Sequence, residues 1–175
     1  RPETAKEDGR EVNIPKAVER SIASMLRNHA ELGADVVLRC WQSLDADSLW
    51  DKDEDRKFPM IDIRCSAPRS DDKRNCYVVC SVLCGTKADD DRNHAVISAL
   101  YGSVQTVLDG IHGGYKDIVG NTYRTEFEAL ISGELGTGVS SLGGFDFEDS
   151  QPPYDDGGVN MIGIGVRVSY GRSDF

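Results

Sequence analysis

The sequence predicts an α+β domain: a mixed, mostly antiparallel sheet of about four to six strands with two main helices packed on it. Two stretches, 14–32 and 88–111, repeat apolar residues at spacings of three and four, which is the period of an amphipathic helix. Several shorter stretches alternate apolar and polar residues between turn signals, which is typical of strands. The chain of 175 residues, 39% of them apolar, is long enough for one domain with a hydrophobic core.

The organisation along the chain follows from where these patterns begin and end. Residues 1–13 have no apolar period and are expected to form an N-terminal arm. The arm also lacks the apolar segment of a secretory signal. Residues 14–175 are expected to form a single α/β domain with long loops at 42–57 and 132–158.

The first helix is predicted over residues 14–32. Asn13 is a plausible N-cap, and Pro15 lies in the first turn, where its missing N–H does no harm. Gly33 follows as the expected stop. Glu19 is expected to lie off the apolar stripe.

Two strands are predicted next, over 34–41 and 58–65. Pro59 stands near the start of the second one, a position that proline tolerates. The residues between 66 and 75 are rich in turn formers. Alternation places three apolar side chains of the second strand on one face: Ile61, Ile63 and Cys65.

The strand predicted over 76–84 is apolar on both faces, so it is expected to be central and covered on both sides. Cys76, Cys80 and Cys84 invite a metal interpretation. On a strand, however, steps of four separate Cα atoms by about 13 Å, too far for one tetrahedral zinc. The odd total of five cysteines and the absent signal favour reduced, buried thiols.

The second helix is predicted over 88–111. Asp89, Asp90 and Asp91 crowd its beginning, where carboxylates cap free N–H groups and complement the helix dipole. With His94 nearby, the same acids could suggest a metal site. Capping explains them without a metal, so capping is the preferred interpretation.

The last third of the chain is less regular. Residues 123–131 could form a strand or a short helix, and 132–158, rich in Gly, Ser, Pro and Asp, is expected to be an extended hairpin or an excursion from the domain. Residues 159–170 alternate strictly and predict the final strand. Its Gly163 and Gly165 leave a flat surface, onto which a helix or another subunit could pack closely.

The formal net charge of −10 at pH 7 argues against a dedicated nucleic-acid binder, which needs a basic patch to displace counterions from phosphates. An acidic surface serves solubility, or lets DNA slide past. No run of about 18 apolar residues is present, so no membrane span is expected.

Catalytic signatures are missing from the sequence. The histidines His29, His94 and His112 show no Ser/His/Asp or Cys/His spacing, and the glycine-rich stretch 133–144 lacks the lysine of a phosphate-binding loop. The sequence therefore predicts a protein that is not an enzyme, with no catalytic residue, no metal ligand and no cofactor.

The loops offer the candidate contact residues for a subunit or partner. They are apolar or aromatic side chains among charges, together with neighbouring acids: Leu49, Trp50, Asp51, Asp53, Asp55, Phe145, Phe147 and Tyr154. The alternating acids resemble the start of a calcium loop, but Arg56 occupies the sixth position, where glycine is needed, and Asp62 rather than Glu is twelfth. Trp50 either anchors a partner or folds back onto its own core.

The order of elements is helix, strand, acidic loop, Phe-Pro strand, turn, long strand, helix, extended loop and final strand. This order resembles the tail terminator or tail completion proteins of long-tailed bacteriophages. The segments that carry the resemblance are 14–32, Phe58-Pro59 with 61–65, 76–84 with 92–111, and 161–170. It covers roughly 14–111 and 159–170, while 115–158 is longer than the usual link in that family.

The resemblance implies a structural virion protein that assembles with itself into a ring, commonly a hexamer. Such a ring caps the tail tube, stops its polymerisation and joins it to the head–tail connector or stopper protein, and genomic DNA passes through the lumen without specific binding. It implies assembly in the host cytoplasm and a place at the head–tail junction of the virion. A connector, stopper or adaptor ring, and a small enzyme or ligand-binding domain, are the alternatives.

Overall fold

The structure is a computed structural model that describes residues 6–7, 10–11, 13–43, 57–70, 75–113, 120, 122–135, 139–155 and 157–172. Its helices are α1 (Ile14–His29), α2 (Ala95–Gly113) and α3 (Tyr123–Leu135). Its strands are β1 (Lys6–Glu7), β2 (Arg10–Glu11), β3 (Val37–Cys40), β4 (Met60–Cys65), β5 (Arg69–Ser70), β6 (Asn75–Lys87), β7 (Val139–Glu148), β8 (Tyr154–Asp155) and β9 (Val159–Arg172). The α+β class is confirmed, with one more helix and more strands than predicted.

The main sheet has seven strands in the described residues, with the order β3-β4-β6-β9-β7. β5 pairs with β6, and β8 pairs with β9, beside this path. Only the β3–β4 pair is parallel among the described strands; the other pairs are antiparallel. β3 and β7 therefore stand at opposite ends of the strand order.

β6 is the centre of the sheet, as predicted, and it pairs with β9 from Asn75–Gly171 to Lys87–Val159. The prediction that both of its faces are covered is wrong. The three helices pack on one face only, where β6 buries five side chains: Cys76, Val78, Cys80, Val82 and Cys84. We call the opposite side of the sheet the outer face; there β6 presents Tyr77, Val79, Ser81 and Leu83, which are half-buried or exposed.

α1 begins as predicted, because the side chain of Asn13 accepts a hydrogen bond from the N–H of Lys16 at 3.0 Å. It ends at His29, earlier than predicted, since Ala30 takes an extended conformation as C-cap. The expectation for Glu19 is wrong: its side chain is fully buried beneath the helix.

α2 begins at Ala95, because residues 88–90 form a short 3₁₀ turn before it. Of the three acids predicted to cap the helix, Asp91 does so. Its carboxylate accepts hydrogen bonds from the N–H groups of Val96 at 2.9 Å and Ile97 at 3.0 Å. Asp89 and Asp90 are exposed on the preceding turn.

The region left open by the sequence resolves into a helix and a strand. α3 buries Phe127, Ile131 and Leu135 at spacings of four. Residues 139–148, expected to belong to a hairpin or an excursion, form β7, which extends the main sheet beside β9.

The flat surface at Gly163 and Gly165 is filled by the chain itself. Gln151 and Gly163 exchange main-chain hydrogen bonds at 3.1 and 3.0 Å, and the N–H of Gly165 donates to the hydroxyl of Ser150 at 3.3 Å. The glycines thus admit the close approach of the segment 149–151.

Candidate assembly surfaces

The predicted contact residues fall into two groups. Leu49, Trp50, Asp51, Asp53 and Asp55 lie outside the described residues. Of the others, Tyr154 is 37% exposed and Phe147 is half-buried. Phe145 is only 1% exposed and packs its ring edge-on against Phe127 at 5.2 Å between centroids, so its side chain belongs to the core and not to a surface contact.

Tyr154 forms one wall of a surface groove of about 430 Å³ between the start of α2 and the β8–β9 pair. The groove is lined mainly by apolar and aromatic side chains with a few polar groups: His94, Ile97, Ser98, Tyr101, Pro153, Tyr154, Asp155, Asn160, Met161 and Ile162. A concave surface of this composition and size can accept an apolar side chain of a partner or a small ligand.

A buried polar network fixes the geometry of this groove. Asp91 accepts a hydrogen bond from the hydroxyl of Thr86 at 2.9 Å, and the amide of Asn160 donates to the Asp91 carbonyl at 3.3 Å. This network joins the start of α2 to β6 and β9, and its member Asn160 also lines the groove. Because its members are almost fully buried, the network holds α2 and β9, two elements that line the groove, against each other.

The charge of Asp91 is stabilised within this network. Burial alone would raise the pKa of its carboxyl, but hydrogen bonds from the N–H groups of Val96 and Ile97 and from Thr86 outweigh that effect and lower the pKa below the usual 3.8. Asp91 is therefore ionised at neutral pH, where it complements the positive end of the α2 dipole.

A second surface is the free edge of β7. The described part of the chain places no strand on the side of β7 that faces away from β9. Here Nδ1 of His112, on α2, donates to the carbonyl of Phe145 at 2.6 Å, and Nη2 of Arg124, on α3, donates to the carbonyl of Gly143 at 3.1 Å. The ring of Phe147 packs on His112 at 5.4 Å between centroids.

Glu19 forms an internal anchor between α1 and the ends of two strands. Its Oε1 accepts from the N–H of Gln42 at 2.6 Å, and its Oε2 accepts from the N–H of Cys65 at 2.9 Å. Burial raises the pKa of this carboxyl, although the hydrogen bonds from the N–H groups of Gln42 and Cys65 act to lower it. The anchor fixes where the chain leaves β3 and β4.

On the outer face, two arginines lie against aromatic rings. The guanidinium carbon of Arg64 is 4.5 Å from the ring centroid of Trp41, and that of Arg167 is 3.8 Å from the ring centroid of Tyr77. Nη2 of Arg64 also pairs with the buried carboxylate of Asp62 at 2.7 Å. These contacts give the outer face a charged and aromatic surface.

The five thiols lie inside the core and are unsuited to nucleophilic chemistry. Burial raises the pKa of Cys40 and of Cys84 to about 12, and burial together with a hydrogen bond to Cys80 raises the pKa of Cys65. Within the described ranges, no three His, Cys, Asp or Glu side chains are grouped so as to hold a metal ion. None of the described helices is long and apolar enough to span a membrane.

The sequence interpretation missed Glu19, His112 and Arg124. For Glu19 a signal existed: position 19 lies four residues after Pro15 and three before Ile22, both buried, so it shares their side of the helix. For the other two no local signal existed, since their acceptors are carbonyls of a strand distant in sequence.

No protein-family model matches the chain, and no curated protein matches it significantly. Its function therefore has to be inferred from its own fold and surfaces.

Proposed function

We propose that this protein is a structural virion subunit that forms a ring, commonly a hexamer, and acts as a tail terminator of a long-tailed bacteriophage. The ring caps the tail tube, stops its polymerisation and offers a docking face to the head–tail connector or stopper. DNA passes through its lumen without specific binding.

The observation that supports the proposal is the pair of unlike edges, β3 and β7, at opposite ends of one sheet. A ring is built from heterologous contacts, in which one surface of a subunit meets a different surface of the next. A subunit with two different sheet edges and a separate apolar groove beside Tyr154 has such unlike surfaces.

The charge of the chain is compatible with this role. An acidic protein with a net charge of −10 repels the phosphates of DNA, so a lumen formed by such subunits would not retain the genome as it passes. The same charge keeps the free subunits soluble before assembly.

Negative-stain microscopy of the purified chain tests the proposal. We expect rings with a central hole, and we expect tube assembly reactions that contain the chain to give tubes of limited length. A chain that stays strictly monomeric, and neither binds tail tubes nor limits their length, would overturn the proposal. A connector, stopper or adaptor ring is distinguished by the position of the labelled protein along the tail axis.

The groove contact is tested by Tyr154→Ser, with Val96→Ser as the control. Both side chains are large and exposed, at 37% and 44%, but Val96 does not line the groove and lies on neither sheet edge. If the groove takes part in ring contacts, Tyr154→Ser reduces the ring fraction at a fixed protein concentration and Val96→Ser leaves it unchanged. A wild-type ring fraction in Tyr154→Ser would remove the groove from the interface.

The groove also favours a second candidate function, that of a small ligand-binding domain, because its volume of about 430 Å³ lies in the range of small-molecule sites. A fragment screen followed by NMR mapping tests it. Binding that shifts the resonances of Ile97 and Ile162 supports this second function, and a screen without binders argues against it.

A further inference from the structure

β7 is a ten-residue strand at one end of the main sheet, and its pairing with β9 uses one side of its main chain. An edge strand of this length presents unpaired N–H and C=O groups, which form a template for a strand of another chain. Natural proteins interrupt such edges, and two kinds of interruption are present on β7.

The first interruption is irregular register. Pairing with β9 shifts between Val139 and Ser141 and again between Leu142 and Gly144. β-Bulges of this kind bend a strand and break the even row of hydrogen-bonding groups. The regular part of the edge that is left is the stretch from Gly144 to Glu148.

The second interruption comes from two side chains of the helices, placed where this regular part begins. Because a carbonyl can only accept, Nδ1 of His112 carries the proton that it donates to Phe145, at 2.6 Å. Arg124 donates to the carbonyl of Gly143 at 3.1 Å. Each side chain takes up one acceptor position of an edge carbonyl and competes there with the N–H of an incoming strand.

Both side chains are held in place by neighbours. Nε of Arg124 bonds to the carboxylate of Glu128 at 2.9 Å, one helical turn along α3. His112 packs on Phe147, and its Nδ1 lies 3.9 Å from Oδ1 of Asp146. At the same time, His112 is about half exposed, so it can swing away without opening the core.

We propose that His112 and Arg124 guard the β7 edge, and that a second copy of this chain adds a strand there when the two side chains are displaced. The choice of a second copy rests on the proposed ring function, which requires a contact between unlike surfaces of identical subunits. The other end of the sheet, β3, supplies an edge different from β7 on every copy. In the free subunit the guards keep this contact from forming prematurely.

The test compares the double variant His112→Ala/Arg124→Ala with wild type by sedimentation velocity over a range of concentrations. Removing two hydrogen bonds that compete with strand addition is expected to tighten the apparent self-association constant about tenfold. Hydrogen exchange of the associated state is expected to show new protection of the amides in residues 145–148.

Two control variants separate guarding from general loss of packing. His112→Asn keeps an amide donor near the position of Nδ1, so it is expected to associate as wild type does. Arg20→Ala removes another arginine that pairs with α3, through Glu134 at 3.3 Å, but leaves β7 untouched. Thermal unfolding followed by circular dichroism checks that each variant folds. If the double variant does not fold, the single variants His112→Ala and Arg124→Gln are compared with wild type instead.

The proposal is overturned if the guard variants associate no more tightly than wild type, or if they associate without protection of β7. Its outcome is independent of the ring itself. If the wild-type chain forms rings and the guard variants associate no more tightly than it does, the proposed role of His112 and Arg124 is rejected and the ring proposal stands. If the guard variants pair through β7 but the wild-type chain never caps tail tubes, the role of His112 and Arg124 stands and the tail-terminator function is rejected.

Discussion

The carboxylate of Glu19 accepts a hydrogen bond from the main-chain N–H of Cys65 at 2.9 Å, although 46 positions separate the two residues. The second oxygen of the same carboxylate accepts from the N–H of Gln42 at 2.6 Å. One buried side chain of α1 therefore satisfies two main-chain donors at the ends of β3 and β4. The point at which the chain leaves β3 is fixed by this helix residue.

We expect Glu19→Ala to lower the free energy of unfolding by about 2 kcal/mol, because it leaves the buried N–H of Cys65 and the partly buried N–H of Gln42 without their acceptor. Part of the loss is offset, since the substitution also removes a carboxylate whose charge is disfavoured by burial. Urea unfolding followed by circular dichroism measures the difference. Glu31→Ala, at an exposed position after α1, is the control and is expected to change stability by less than about 0.5 kcal/mol.

The lowered pKa of Asp91 predicts a pH dependence of stability with a definite sign. The folded-state pKa lies below the unfolded value of 3.8, so the stabilisation is fully present above that value and is lost as the pH falls through the folded-state pKa. Asp91→Asn keeps an acceptor for one N–H but does not titrate. We expect the free energy of unfolding of wild type to exceed that of this variant by about 1.5 kcal/mol at pH 7. This difference is expected to become smaller as the pH falls below 3.8.

Thermal unfolding at a series of pH values between neutral and strongly acid measures this difference. Asp90→Asn is a matched control, since Asp90 is exposed on the preceding turn and does not cap α2. If the difference in stability between wild type and Asp91→Asn stayed constant across the pH series, the ionised form of Asp91 would not be the source of the stabilisation.

The thiols give a third prediction. All five cysteines are buried, so a reagent in solution reaches their thiols poorly. In addition, burial raises the pKa of Cys40 and Cys84 to about 12, so the thiolate forms of these two are scarce at about pH 8. A thiol-specific reagent such as Ellman's is expected to react slowly with the folded protein and to titrate five thiols rapidly in denaturant. Rapid reaction of even one thiol in the folded protein would contradict the interior position of β6 and its neighbours.

The fold could be predicted where the local pattern and the tertiary environment agree. The final strand was expected over 159–170 and spans Val159–Arg172, because its alternating side chains bury one face against the helices. β6 was recognised as central for a different reason, because it is apolar on both faces, although the structure buries only one of them fully. In contrast, α3 was left open because it contributes few residues to the core, and its apolar pattern is correspondingly sparse.

The functional surfaces were predictable only in part. Tyr154 could be found, since an aromatic residue in a polar stretch is a recognisable signal, and it lines the groove. Phe145 carries the same signal but lies in the core. The sequence did not reveal this position, because the glycines before Phe145 hide the alternation along β7. The contacts of His112 and Arg124 with β7 depend on how helices pack on a strand more than 15 residues away, which no local pattern encodes.

The close approach of the segment 149–151 to β9 gives the last prediction. A Cβ at position 165 would collide with the carbonyl oxygen of Asp149, and that oxygen belongs to the main chain, which cannot turn aside as a flexible side chain can. Gly165→Ala is therefore expected to cost about 2 kcal/mol of folding free energy, in the range of overpacked sites.

Gly102→Ala is the matched control, because position 102 is exposed on α2 and a Cβ there meets nothing within 4 Å. Alanine is the better helix former, so this variant is expected to be more stable than wild type by about 0.5–1 kcal/mol. Urea unfolding of both variants gives the comparison. If Gly165→Ala matched wild type, segment 149–151 would not lie against β9, and the surface at Gly163 and Gly165 would be free to receive another subunit after all.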